Sequence, residues 1–245
     1  MSGRKTKYKS HHINVFGKRK SPFSNTSKMP WLSFNLPAQE CKTGSRLKLN
    51  PKSMCSDNFC YVKAPPTRYA TKQVQDALYE NFKNVDNEGW EESFVYLLKE
   101  AKQKDKDKPE SDFFRWFDAG DIQSKRQLAQ IAYIAFHCPD INFWVSTHEF
   151  YFVQNYVRSG SLVPKNLRIR ISDAELNQKE SEHKEAIIEM NKRPNVQCNI
   201  TTSGVSDDEN LITCISSEQG NKCFGDKKQC ADCWMSNERQ VYKLH

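Results

Sequence analysis

The chain has 245 residues, a formal net charge of +7 and 37% hydrophobic residues, enough to bury the core of one sizeable domain. No apolar run approaches the length needed to cross a bilayer, and the basic N-terminus has no apolar stretch behind it, so membrane insertion and secretion are not expected. In the cytoplasm expected for such a chain, nine cysteines point to metal ligation, redox chemistry or core packing rather than to a disulfide framework.

Residues 1–29 carry eight Lys or Arg and no acidic residue, which leaves 29 basic against 30 acidic residues in the rest. The positive charge therefore belongs to a tail, expected to be disordered and able to touch nucleic-acid phosphates without reading sequence. After it, "MPWLSFNLPA" alternates Leu32, Phe34 and Leu36 with Trp31, Ser33 and Asn35, a short strand ended by Pro37. A turn-rich loop with Cys41, Cys55 and Cys60 follows. Two amphipathic helices come next. Val74, Ala77, Leu78, Phe82 and Val85 share one face of the first, and Trp90, Phe94, Leu97, Leu98 and Ala101 one face of the second.

"SDFFRWFDAGD" reads as a buried strand stopping at Gly120. "SKRQLAQIAYIAFHC" opens a helix with Ser124 and Gln127 at capping-box spacing. "INFWVSTHEF" is a third strand, "YFVQNYVRSG" a helix closed by Gly160, and "NLRIRIS" a fourth strand. A charged, helical insert over 174–192 precedes two more short strands, "NVQCNITT" and "NLITCISS". Strand and helix in alternation predict parallel strands with right-handed crossovers. Five or six of them suit an incomplete (β/α) barrel-like α/β fold, with a barrel domain over 30–213 and a Cys-rich segment over 214–245.

In such folds chemistry gathers at the C-terminal ends of the strands. The polar residues there are Asp118 and Asp121 after the second strand, Thr147, His148 and Glu149 after the third, and Ser172 after the fourth. Arg168 and Arg170 point away from Leu167, Ile169 and Ile171. A buried Arg170 requires an anion: Asp118 or Glu149 as an internal ion pair, or a substrate. Asp121 has the simpler reading of a helix cap.

Cys138 and Cys198 read as core. Cys214, Cys223, Cys230 and Cys233, the last two as C-x-x-C, form a full ligand set for zinc or an iron–sulfur cluster. Cys41, Cys55 and Cys60 are one short of a zinc tetrahedron, with Asp57 or a C-terminal cysteine as a possible fourth ligand. They equally suit a 4Fe-4S cube with one iron open, shielded by Phe59 and Tyr61.

Five ordered stretches, "SMCSDNFCYVKAPPTRYATKQVQDAL", "FFRWFDAGDIQS", "INFWVSTHEF", "NLRIRIS" and "NKCFGDKKQCADCW", resemble the phage gene-product-88 domain family over residues 30–236. Relatives tend to have His at the position of Phe117 and Arg at that of His148. The cysteine loop after the first strand also resembles that of radical S-adenosylmethionine (SAM) enzymes, which hold an open-iron cluster there in an incomplete barrel. The spacing here is C-x13-C-x4-C, longer than theirs, and "DAGD" stands where they have Gly-Gly-Glu. That resemblance implies a cluster on Cys41, Cys55 and Cys60, SAM or substrate contacts from Thr147, Ser172 and Tyr61, and catalytic roles for Asp118, Glu149 and Arg170. The expected substrate is a small molecule, a nucleotide or a nucleic acid, in the cytoplasm of a phage's host. The contrasting expectation is a zinc-stabilised, non-catalytic binding protein that modulates host machinery. A metal-dependent nucleic-acid hydrolase is disfavoured by the few histidines at strand ends.

Overall fold

The computed structural model describes residues 15–60, 62, 68–178, 180–193, 196–204, 212–220, 222–224 and 230–242. Eight strands form one sheet: β1 (Phe23–Asn25), β2 (Leu32–Phe34), β3 (Phe113–Trp116), β4 (Asn142–Thr147), β5 (Leu167–Ser172), β6 (Cys198–Ser203), β7 (Ile212–Thr213) and β8 (Gln240–Tyr242). Their order is β1-β2-β3-β4-β5-β6-β8-β7; β1 is antiparallel to β2 and every other pairing is parallel. No pairing among the described residues joins the two edges, so the sheet is open.

The seven described helices are α1 (Lys42–Arg46), α2 (Lys72–Asn84), α3 (Trp90–Lys104), α4 (Lys125–His137), α5 (Phe150–Arg158), α6 (Lys184–Asn191) and α7 (Asp232–Met235). None is long and apolar enough to cross a membrane. Each of α4, α5 and α6 joins two neighbouring parallel strands, and α3, α4, α5 and α6 pack in sequence along one face. That face carries the main core. Phe114 and Trp116 of β3, Phe143 and Val145 of β4, and Leu167, Ile169 and Ile171 of β5 meet Phe94, Leu98, Leu128, Ile131, Val153 and Val157. Phe94 stacks on Trp116 with ring centroids 5.1 Å apart. The period-2 pattern of the strands thus predicts the buried face correctly. The opposite face carries Phe113, Arg115, Trp144, Arg168 and Arg170, and α7 lies across β4 and β5 on that side.

Several local expectations are corrected. The segment from residue 15 to 29 is not free tail. Val15 and Phe16 are buried in the main core, Arg19 donates to Asn81 Oδ1 at 2.9 Å, and β1 pairs with β2; residues 1–14 lie outside the described residues. Two apolar residues outweigh the surrounding charge in that stretch.

β3 stops at Trp116 rather than at Gly120, because Phe117 takes a left-handed φ of 58° while its N–H donates to Phe34 O at 2.8 Å. Gly120 has φ +84°, and a Cβ there would meet Leu36 O at 2.7 Å, so only glycine fits. Ser124 caps α4 as the spacing predicts, accepting from Gln127 N at 3.1 Å, while Gln127 reaches back to Gln123 N at 2.7 Å. Among the described residues the charged insert is α-helical only over Lys184–Asn191, and "NLITCISS" contributes Ile212–Thr213 of β7, its residues 210 and 211 lying outside the described residues.

Candidate functional site

The first cysteine loop is anchored from across the sheet. Cys41 stands at the N-cap of α1, where it offers no side-chain oxygen to the unsatisfied N–H groups of the helix start. Glu149, directly after β4, fills that need: Oε1 accepts from Thr43 N at 2.6 Å and Oε2 from Thr43 Oγ1 at 3.1 Å. Thr147 continues the chain of bonds, accepting from Glu149 N at 3.0 Å and donating to Asp121 Oδ1 at 2.5 Å.

Asp121 also accepts from Ile122 N at 2.7 Å and His148 N at 2.9 Å. It is therefore the buried knot that ties the end of β3 to the end of β4, not the helix cap the sequence suggested, since Ser124 already caps α4. Burial pushes its carboxyl up to about 7, against the pull of its three donors, and the Glu149 charge pushes the same way. His148 is driven the other way, down to about 4, by burial, although it is hydrogen-bonded to the backbone of Ser172.

Cys41 and Cys55 meet at Gly44. A Cβ at Gly44 would stand 3.1 Å from Cys41 Cβ and 3.4 Å from Cys55 Sγ, so the absent side chain lets Cys55 approach α1. Cys41 and Cys60 pack against the same small cluster of Ala38, Val62, Tyr69, Leu78 and Ala119. The three cysteines of the trio thus share one neighbourhood despite their uneven spacing. Phe59 is exposed, and Tyr61 lies outside the described residues.

On the face opposite the helices, Asp118 Oδ1 accepts from Arg115 Nη1 at 2.8 Å and Oδ2 from the Tyr69 hydroxyl. Its own N–H and that of Ala119 donate to Asn35 Oδ1 at 2.6 and 3.1 Å. The Arg115 guanidinium lies over the Trp144 ring, 4.5 Å from its centroid. Ser172 Oγ is 2.9 Å from Ser146 Oγ and 3.1 Å from Thr201 Oγ1, a line of hydroxyls across β4, β5 and β6.

Arg170, expected to need Asp118, Glu149 or a substrate, has none of the two carboxylates as partner. It is fully buried and donates to four backbone carbonyls: Asp232 at 2.7 Å, Cys233 and Ser236 at 3.0 Å, and Glu238 at 3.1 Å. Arg168 donates to Met235 O at 3.0 Å and to Asn237 Oδ1. Both arginines therefore hold the C-terminal segment against the sheet, and Trp234 completes the seam with Nε1 donating to Phe114 O at 2.9 Å.

The C-terminal thiols lie within reach of one another's charge. Burial pushes the Cys223 thiol above its ordinary range, and Cys233, Cys214 and Cys230 reinforce the shift while Arg115 opposes it. Burial pushes Cys233 up to about 12, with Arg170 opposing. Cys233 Sγ sits 3.1 Å from both Gln240 Oε1 and Tyr242 Oη, and Cys223 and Cys233 belong to one cluster with Trp144 and Trp234. Among the described residues no three His, Cys, Asp or Glu side chains are gathered tightly enough to hold a metal ion as they stand.

Sequence reasoning did not single out Thr43, Tyr69 or Asn35. Each joins segments far apart in the chain, and only Asn35, a polar residue inside an apolar strand pattern, carried a signal. A family model described as gene product 88 matches residues 5–236. No curated protein and no solved structure matches the chain.

Proposed function

The chain belongs to the gene product 88 family, and from that premise we propose that it is an iron–sulfur protein of radical-SAM type built on a partial barrel. One observation carries the reading. The loop with Cys41, Cys55 and Cys60 is held by Glu149 at the C-terminal end of β4, where the chemistry of wound α/β sheets is placed, with Cys41 Cβ and Cys55 Sγ both beside Gly44. Three thiolates would hold three irons of a 4Fe-4S cluster and leave the fourth for SAM, and such a cluster, when bound, supplies the electron for reductive cleavage of SAM.

The remaining residues divide by their partners. Asp118 with Arg115 and Tyr69, and the hydroxyls of Ser146, Ser172 and Thr201, face away from the helices as the groups that would bind and orient SAM or a small-molecule or nucleotide substrate. Glu149 and Thr147 are positioning residues for the loop. Arg170 is assigned to the C-terminal segment and not to substrate. Cys214, Cys223, Cys230 and Cys233 are the second candidate ligand set, for zinc or a further cluster, and would have to draw together to close on it.

The alternative, a zinc-stabilised binding protein without catalysis, is favoured by the burial of that second thiol group against an apolar seam. Anaerobic purification followed by iron, acid-labile sulfide and zinc assays separates the two. Iron with sulfide, lost in Cys55→Ala or Cys60→Ala, supports the cluster, and reductive cleavage of SAM is then expected. Zinc in stoichiometric amount with no sulfide ends the radical-enzyme reading.

A further inference from the structure

The loop that carries Cys41, Cys55 and Cys60 also carries an uncompensated positive charge. Between Cys41 and Ser56 it has four cations, Lys42, Arg46, Lys48 and Lys52, and no carboxylate; Glu40 and Asp57 flank it. All four cations are exposed. The carboxylates that touch the loop are already engaged. Glu149 is buried and accepts from Thr43, Glu175 accepts from Asn50 Nδ2 at 3.2 Å, and Asp57 lies 3.5 Å from Lys48. Arg46 donates to Thr43 Oγ1 at 2.8 Å, and Lys42 lies over the Phe152 ring, 5.4 Å from its centroid. Among the described residues Lys42, Arg46 and Lys52 therefore have no ion-pair partner.

Exposed apolar side chains stand among these cations. Leu49 is 87% exposed, Tyr151 68% and Phe59 37%. The backbone brings them to one surface. Asp57 N donates to Lys48 O at 3.2 Å, which sets the turn of Phe59 against Lys48 and Leu49. The bonds from Thr43 to Glu149, and the place of Lys42 over Phe152, set the start of α5 with Tyr151 beside α1. A lone exposed ring means little on a protein surface. Rings interleaved with unpaired cations are a stronger sign, because one ligand class satisfies both: a polyanion that offers phosphates to the cations and flat base faces to the rings.

We propose that this loop and the start of α5 form a docking surface for single-stranded nucleic acid. Lys42, Arg46 and Lys52 meet phosphates, and Tyr151 and Phe59 stack on bases. A duplex keeps its base faces stacked on one another and out of reach of the rings. An anionic lipid surface would call for one continuous apolar face, whereas here charges separate the apolar groups. The surface lies at the C-terminal ends of the strands, so a bound strand passes over the trio loop itself. No metal is needed for this contact, and a protein that binds neither iron nor zinc would bind the strand equally.

The test measures fluorescence anisotropy of a short labelled single-stranded DNA, and of its duplex, with the full-length protein. Three phosphate contacts predict a logarithmic salt slope of about −2, an affinity loss of about 20-fold between about 50 and 200 mM salt. Lys42→Gln/Lys52→Gln should flatten that slope by about 1.4. Tyr151→Ala should weaken binding about fivefold or more with the slope unchanged. These positions are exposed, and a melting curve matching the parent's shows that each variant is folded. The basic N-terminal residues 1–14, outside the described residues, give a competing source of affinity, so Lys5→Gln/Lys7→Gln is measured alongside. Loop variants that bind as the parent does, with binding lost in Lys5→Gln/Lys7→Gln, overturn the proposal, as does a duplex bound as tightly as the single strand. Vesicles of phosphatidylserine and phosphatidylcholine form a second arm: binding to them that depends on Lys42 and Lys52, with none to DNA, overturns the nucleic-acid occupant.

Discussion

The two cysteine groups of this chain are held by opposite means. The trio sits in a polar, turn-rich loop that Glu149 anchors through two hydrogen bonds to Thr43, with Cys41, Cys55 and Cys60 all partly exposed. The C-terminal group is bound to the sheet by an aromatic seam and by two arginines that grip successive carbonyls from Asp232 to Glu238. The first loop is held by polar bonds, including Leu176 N to Lys52 O at 2.6 Å and Asn50 Nδ2 to Glu175 Oε1 at 3.2 Å, whereas a segment held by Trp234 and Arg170 cannot leave without exposing charge and ring together. On the proposed reading the first group takes the reactive role and the second a structural one.

The largest test of that contrast is Trp234→Ala. Trp234 is 3% exposed, its ring meets Trp144 and Phe113 with centroids 5.1 and 5.5 Å apart, and truncating a buried tryptophan costs about 3–5 kcal/mol. Chemical denaturation should show that loss, and alkylation of Cys223 and Cys233 should accelerate while Cys41 and Cys55 react as before. Unchanged protection of Cys223 and Cys233 would mean that the segment is held by the arginines alone.

The knot beneath the first loop is read by pH. Asp121, with its carboxyl raised from 3.8 to about 7, keeps its proton in the fold when the unfolded chain has lost it, so its contribution is full below about pH 4 and is lost as pH rises to 7. His148, lowered from 6.5 to about 4, contributes fully above 6.5 and is lost as pH falls to 4. Across their windows the slopes amount to about 4 kcal/mol for Asp121 and about 3 kcal/mol for His148, and the two oppose each other. Stability of the parent should therefore be nearly flat between pH 4 and 6.5. Denaturation of His148→Gln should show stability falling as pH rises, and that of Asp121→Asn should show it rising; two variants with the same slope would refute the assignment.

A smaller effect is expected from Glu149→Ala, which strips Thr43 N and Oγ1 of their acceptor and costs about 1–3 kcal/mol. Its signature is local. Hydrogen exchange at Thr43 and alkylation of Cys41 and Cys55 should speed up, while Cys233 remains protected. A global loss with no change at Cys41 would show that Glu149 supports β4 rather than the loop.

The sheet was largely legible because its burial follows short periods: Phe114 and Trp116, or Ile169 and Ile171, announce their face by alternation alone. The missing strands are the ones without such a period. β1 lies in a basic stretch and β8 in three residues near the end, and both gain their place only from neighbours distant in sequence. The candidate site was half legible for the same reason. Residue type marked Asp118, Glu149, Arg170 and the cysteines as unusual, yet their partners are Arg115, Thr43 and the carbonyls of 232–238, which no local spacing could select. Asp121 was misjudged because an acidic residue before a helix looks like a cap, and only the Ser124 bond shows the cap already filled.

The finest distinction between the two groups comes from a single methyl. In Gly44→Ala the new Cβ would stand 3.1 Å from Cys41 Cβ, tighter than ordinary contact, and 3.4 Å from Cys55 Sγ. Alanine favours a helix over glycine by up to ~1 kcal/mol, and the crowding opposes this, so net stability should move by less than about 1 kcal/mol. Metal retention by the trio should nevertheless fall, because relief of the contact moves Cys41 and Cys55 apart and a cluster tolerates little displacement of its ligands. On the same reading, any metal held by Cys214, Cys223, Cys230 and Cys233 should stay as in the parent. Iron and sulfide analysis of this variant beside its melting curve reads both effects at once. A variant that keeps its iron would show that Cys41 and Cys55 do not serve one centre, and would shift the reactive role away from the loop even if the anchor at Glu149 proves real.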